Sequence, residues 1–497
     1  MSSSNRVRLT GVAETTYGTT PTTPRMRKQR VASISLSNKP VTVDSDEIRD
    51  DRMNNDSILV GQTNDGSIGI EWHYPVDGSL LSSEMESAFC NPWINTPSRD
   101  NDGSAGSVIQ SVTAATQVVA VASAAAFVAG HLVYFSGFGA AGNKGKLAKV
   151  TAGSPTAPAF VGAGLVDEPS PAAGARMKVV GFEGAADDIK AVADGLTSET
   201  GGLDFTTLGL RIGQWVKPGD IGAGNRFATA GTNGFARVVG IAARKLTLDN
   251  LPGAWAADTG AGKSIRVFFG DVLVNGVAKL GLTLERGFMD HTPPTYIAQT
   301  SMRVGSIEFG GGAKEKATGS ITFVGMKAGT PGPTTLDALP DEAPDTNLYP
   351  VMAFSANCGR IGEGGLALGK PNWAKSVKFT VGNNLRAIDA ASDGDDTAPA
   401  PVDVVDGSCD VSVDLDTYFG NADLLAKVGA ATPTAINTRL QKGTQAMVWE
   451  APRLIPKEGD PAVSGKNQDV MLPVKLTGSK DSLTGAQIIV NRLEFVR

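Results

Sequence analysis

Three histidines, three cysteines and one Gly-Lys-Ser tripeptide are the residues of this 497-residue chain whose types invite chemistry. His73, His131 and His291 stand far apart, and none has metal-ligand spacing to Cys90, Cys358 or Cys409. His73 lies between Trp72 and Tyr74 in an alternating run and reads as a packed side chain. His131 falls where a related stretch carries Gln214, so that position does not require a ligand. His291 precedes Thr292-Pro293-Pro294, a loop setting. Asp393, Asp395 and Asp396, with Asp389, have some of the spacing of a calcium loop but lack its full ligand pattern and closing Glu. They read as a solvated acidic loop. Ala257 to Ser264 ends in Gly262-Lys263-Ser264, yet Ala257 replaces the first glycine of a phosphate loop and β-type residues follow. Without a helix N-terminus there, phosphate would meet no aligned amide donors. No Gly-x-Ser-x-Gly elbow occurs either. These residues assemble no catalytic constellation, so neither an enzyme nor a cofactor is expected.

The elements around them are organised by repetition. Residues 30–36 alternate apolar and polar, a polar excursion crowded with Asp46, Glu47, Arg49, Asp50, Asp51 and Arg52 follows over 38–61, and 67–74 alternate again. Leu81, Met85, Ala88 and Phe89 then fall on one face of a helix. The same order returns as a strand at 376–381, an excursion at 382–406, a strand at 407–414 and a helix at 421–428. Four elements in one order point to an internal duplication.

Composition agrees with turn-rich β structure: 60 Gly, 27 Pro and only 19% charged residues. The net charge of −6 argues against a tight grip on nucleic acid, which needs cations for phosphate. Few cysteines, odd in number, argue against a disulfide framework. The N-terminal residues lack the apolar run of a signal peptide, and no stretch has the length of a membrane span. The fold class expected is mainly β: two tandem β-sandwich or barrel domains, each with one short helix, and two small inserted all-β modules.

The expected divisions are an arm at 1–27, a first domain at 28–103 and 271–328, inserted modules at 104–187 and 188–270, a linker at 329–344 and a second domain at 345–497. The modules read as two copies of one small closed barrel or sandwich. Residues 127–133, 144–150 and 176–182 match 210–216, 233–239 and 264–270 in turn. The arm reads either as a free tail or as a segment lying along a neighbour.

The run Val12-Ala13-Glu14-Thr15-Thr16-Tyr17-Gly18-Thr19-Thr20-Pro21, with Asp46-Glu47-Ile48-Arg49-Asp50-Asp51-Arg52 after a strand, resembles the N-terminus of tail tube proteins of long, non-contractile-tailed phages. Leu208-Gly209-Leu210-Arg211-Ile212-Gly213-Gln214-Trp215-Val216 and Asn233-Gly234-Phe235 look like modules inserted in some of them. The resemblance covers the arm, the first domain and the insertion; the second domain is reached through the duplication.

It implies a structural virion protein, assembled in the host cytoplasm, that stacks as rings into a hollow tube for DNA ejection. Six domains would close a ring, hence three chains with pseudo-sixfold symmetry, with six whole chains as the alternative. Implied partners are further copies of the chain, a tape measure protein, a tail terminator and a distal tail protein; DNA passes without specific binding, and no membrane is involved. Contacts between subunits or rings are expected at Asp46, Glu47, Arg49, Asp50, Asp51, Arg52, Asp393 and Asp395. Acids facing the lumen are expected among Glu71, Glu285, Glu308, Asp410 and Asp414. The competing expectation is a virion adhesin that binds host-surface carbohydrate through the inserted modules, although Trp215 and Trp255 are their only tryptophans.

Overall fold

In the computed structural model, which describes residues 3–103, 106, 108–199, 201–391 and 400–497, one strand order occurs twice. The first unit contains β1 (Val7–Ala13), β2 (Ser33–Ile34), β3 (Ser37–Asp44), β4 (Ser57–Glu71), α1 (Leu80–Phe89), β5 (Leu282–Phe288), β6 (Thr295–Gly312) and β7 (Thr318–Gly325). The second contains α2 (Phe354–Asn357), β8 (Cys358–Glu363), β9 (Ala374–Gly382), β10 (Asp410–Tyr418), α3 (Asp423–Gly429), β11 (Thr434–Lys442), β12 (Gln445–Gly459), β13 (Met471–Gly478) and β14 (Ile489–Leu493). Antiparallel pairing runs β1-β5-β6-β7-β4-β2 in the first unit. It runs β8-β11-β12-β13-β10-β9 in the second. The units join where β6 pairs β9, with Ile307 opposite Val381 and Phe309 opposite Phe379.

Period-two alternation explains which residues turn inward. Ile68, Ile70 and Trp72 are buried from β4 and its continuation, Val377, Phe379 and Val381 from β9, and Val411, Val413 and Leu415 from β10. They share a single core that crosses the junction. Trp72 meets Phe309 edge-on at 5.4 Å, and Phe309 stacks on Trp449. Helix α1 closes this core. Ser79 caps it by accepting the Ser82 amide, and Cys90 ends it in the left-handed conformation at φ 48°. Leu80, Leu81, Met85, Ala88 and Phe89 are all buried.

Two expectations change. Within the stretch expected as an arm, Val7–Ala13 is β1, paired along its whole length with β5, and Leu9, Thr10 and Gly11 are buried. The alternation that makes it a strand is present in the sequence but lies among polar neighbours. The excursion at 38–61 is a long hairpin in which β3 pairs β4 from Ser37–Asp65 out to Asp44–Ser57.

Among the described residues the inserted segment supplies twelve strands of a separate sheet, and Ser98–Asp100 adds the thirteenth beside Arg176–Ala186. Its two halves do not close separately. The strand Arg176–Ala186 of the first half pairs Ser264–Phe268 of the second, and one core draws Phe135, Val179 and Phe182 together with Val216, Val238 and Ile265. Pairing across the halves removes edges that two isolated modules would each have to blunt.

Candidate assembly surfaces

The sheet that crosses the junction buries one face and presents the other as a polar surface. Glu71 from β4, Glu308 from β6, Asp410, Asp414 and Asp416 from β10, and Lys378 from β9 lie on that outer face, none of them buried. Lys378 Nζ sits 3.3 Å from Glu308 and 3.8 Å from Asp414. Ser320 donates to Glu308 at 2.9 Å, Ser376 to Asp416 at 3.0 Å, and Lys316 pairs with Glu71. Four of the five acids expected on a lumen thus share one surface. Glu285 does not. It is 2% exposed on β5, accepts from Thr335 Oγ1 and the Leu336 amide, and faces Arg8. Alternation shows that a strand has two faces, but not that residues 335–336 cover this one.

The hairpin β3–β4 carries Asp46, Glu47, Arg49, Asp50, Asp51 and Arg52 at its tip, all exposed. Arg49 Nε donates to Asp51 at 2.9 Å and its Nη1 reaches Asn55, so Arg49 is engaged inside its own loop. The hydrogen bond from Arg49, with that of the Met53 amide, holds the Asp51 carboxyl below its ordinary range. Arg52 adopts φ 61°. The shaft exposes apolar side chains that nothing among the described residues covers: Val43 opposite Ile58, with Val41, Leu59 and Val60 nearby and Ile48 and Met53 at the tip. Asp393 and Asp395 lie outside the described residues.

The Glu14-to-Gly18 motif builds a corner of the first unit. Buried Glu14 accepts from Thr283 Oγ1 at 2.8 Å, from the Ser301 amide at 2.7 Å and from the Gly18 amide at 2.9 Å. It thereby fixes Ser301 in the left-handed region at φ 57°. Tyr17 packs beneath Lys279 at 4.1 Å, and Arg303 behind it pairs with Asp406 from the second unit.

Buried charges mount the insertion. Asp271 Oδ2 accepts from Lys178 at 2.6 Å and Arg492 at 2.7 Å, while its Oδ1 accepts the Thr96 amide at 2.8 Å. Burial alone would raise the Asp271 carboxyl, but Lys178 and Arg492 outweigh it and hold it at about 2. A second mount joins the insertion to β12. Glu450 accepts from Trp215 Nε1 at 2.7 Å and from Arg237, and burial pushes it up to about 7 against both. Sequence spacing carries no signal for either network, because its members lie 93 to 235 residues from the carboxylate they share.

The chemically inviting residues have structural employment. His73 and His131 are buried, which lowers each to about 4 and keeps it neutral. His131 Nδ1 accepts the Val128 amide as Gln214 Oε1 accepts the Arg211 amide, each three residues back. His291 bonds Thr295 in a loop. In the Gly-Lys-Ser turn, Asp258 takes the Gly260 amide and Asp187 the Gly262 amide, so carboxylates occupy the donors a phosphate would need.

Comparison with known families matches this arrangement: the family described as phage tail tube protein matches residues 4–478. The chain belongs to the phage tail tube family. No curated protein matches it at full significance. The mainly β architecture is that of a tail tube protein, and the chain is a virion component that self-assembles. No helix among the described residues is long and apolar enough to cross a membrane.

Proposed function

We propose that this tail tube protein stacks as rings into the hollow conduit for DNA ejection, each chain filling two ring positions. The observation that carries this is the β6–β9 junction, where two units of identical strand order already stand side by side in one sheet with a common buried face and a common polar face. Three chains then complete a pseudo-sixfold ring. The acid-rich face around Glu308, Asp410 and Asp414 lines the lumen, where carboxylates repel the phosphate backbone and lysines paired to them offer it little grip. The β3–β4 hairpin, with its uncovered apolar shaft and charged tip, reaches the next ring. Such head-to-tail contacts do not close on themselves and so propagate a filament.

The remaining parts follow from this reading. Residues 7–103 with 271–328, and 345–497, are the two tube domains; 104–187 and 188–270 decorate the exterior, and 329–344 link the domains. Assembly takes place in the host cytoplasm, with the tape measure protein inside and the terminator and distal tail proteins at the ends. The protein performs no catalysis. Negative-stain electron microscopy of the purified protein tests the reading: hollow filaments support it, and lone globules under all assembly conditions refute it.

A further inference from the structure

A cavity of about 460 Å³ in the second half of the insertion gathers cations without matching acids. Lys217, from the strand Trp215–Pro218, lines it together with Arg226, Lys263 and Arg497, and Asp220 is the one acid among them. Asp220 is already engaged. Its Oδ2 accepts from Arg266 at 2.8 Å and its Oδ1 from the Ile221 amide at 2.6 Å. Lys217 donates to the backbone oxygens of Gly219 and Arg497. The side chains of Arg226 and Lys263 make no hydrogen bond or ion pair among the described residues, and that of Arg497 only covers the Phe495 ring at 4.7 Å. Three cations therefore face one space without a counter-charge, in a chain whose net charge is −6.

The walls are fixed in advance. Asn233 accepts the Phe227 amide at 2.8 Å and donates to the carbonyls of Phe227 and Thr229 at 3.0 Å, which holds one loop in shape. Asn225 donates to Ser264 O at 2.9 Å and ties the facing loop to its strand. Burial, with Arg439 and Arg226 nearby, pushes Lys217 down to about 8 in spite of Asp220, so the cavity already disfavours further positive charge.

We propose that this cavity binds the phosphate ester of a sugar or polyol, its phosphate held by Arg226, Lys263 and Arg497. Guanidinium groups meet phosphate oxygens as planar forks, and lysine adds a point charge. Beside the cations, Ile221 is 66% exposed and joins Ala228 and Ala230 in an apolar rim on which the carbon skeleton of the ester can lie. A nucleic acid fits less well. Phe227, the one aromatic residue lining the cavity, is buried and offers no platform for a base, and the cavity meets a single phosphate instead of a row of them. The site stands whether or not the chains form the tube proposed above.

Equilibrium dialysis of the full chain against inorganic phosphate, glycerol 3-phosphate and poly(glycerol phosphate) at low ionic strength tests the site. Saturable, single-site uptake is expected, weakening as salt is added. Arg226→Ala combined with Lys263→Ala is expected to lower affinity for glycerol 3-phosphate at least roughly tenfold. Near-ultraviolet dichroism should stay at wild type, since neither side chain bonds anything in the fold. Lys144→Ala, which removes an exposed cation from the first half of the insertion, should bind as wild type. Tighter uptake of the polymer than of glycerol 3-phosphate, per phosphate group, assigns the ester to a polymer, and equal uptake assigns it to a small soluble molecule; both uphold the site. No saturable uptake of any probe, or uptake unchanged in the double variant, overturns it. An oligonucleotide retained as tightly as poly(glycerol phosphate) overturns the sugar or polyol assignment.

Discussion

Phe309 of the first unit and Trp449 of the second stack with ring centroids 4.7 Å apart and planes 2° from parallel. Rings from both sides of the junction therefore pack as neighbours inside one core, with Trp72 and Phe379 completing the group. The two units are bound to unfold together. Trp449→Ala is expected to cost about 3–5 kcal/mol, the range for large aromatic truncations in a core. Differential scanning calorimetry should show the tube-type units melting in one transition that moves as a whole; separate melting of the two units would contradict a shared core.

Asp271 ties acid stability to the insertion's mount. Its carboxyl is held at about 2 in the fold against 3.8 ordinarily. The folded value is the lower one, so this stabilisation is present above pH 4 and fades as pH falls towards 2. Lys178→Met leaves Arg492 as the remaining cation, and the variant should lose about 2–4 kcal/mol at pH 7 with a shallower loss on acidification. Urea unfolding at pH 7, 4 and 3 measures both effects. The same contacts bear on deletion of the insertion: removing 104–270 strips Lys178 from Asp271, and Trp215 and Arg237 from Glu450, so the deletion should carry Glu450→Gln to spare a buried, unpaired carboxyl.

Glu84 on α1 is wholly buried, its Oε2 bonded to Gln29 at 3.0 Å. Burial raises its carboxyl well above 4.5. Because the folded value is the higher one, stability falls as pH rises above 4.5, where the unfolded chain ionises first. Glu84→Gln keeps the volume and removes that loss. It should raise stability at pH 7 by about 1–3 kcal/mol and flatten the pH dependence, as read from denaturant midpoints between pH 4 and 8.

The hairpin is separable from the fold that carries it. Asp44 pairs with Ser57 at its end, so residues 45–56 can be replaced by Asn-Gly in a two-residue turn. The shortened chain should keep its melting temperature within a few degrees, since the excised loop is exposed. Under the assembly proposed here it should form rings that stack poorly, visible by electron microscopy as short rather than long filaments.

Alternation made the inner strands legible: Ile68, Ile70 and Trp72, or Val377, Phe379 and Val381, announce a buried face in the sequence. The helix over Leu81, Met85 and Phe89 was equally plain. Pairing was not. The partner of β6 lies about seventy residues downstream, and no local pattern states that Phe309 faces Phe379. Glu285 alternates like the other strand acids yet lies buried beneath residues 335–336, as period two gives the face and not what covers it. The shaft of β3–β4 read as an excursion because its apolar residues, Val41, Val43 and Ile58, alternate without a core to receive them. The mounts at Asp271 and Glu450 depend on side chains gathered from three distant segments, a convergence only the folded chain reveals.

The central claim is that one chain supplies two adjacent positions of a tube wall. A cryo-electron-microscopy reconstruction of filaments grown from the purified protein measures this directly. The account predicts a hollow tube with three chains per ring and β6 beside β9 within each chain. Rings of six whole chains, or a wall in which the first and second units do not alternate, would contradict it.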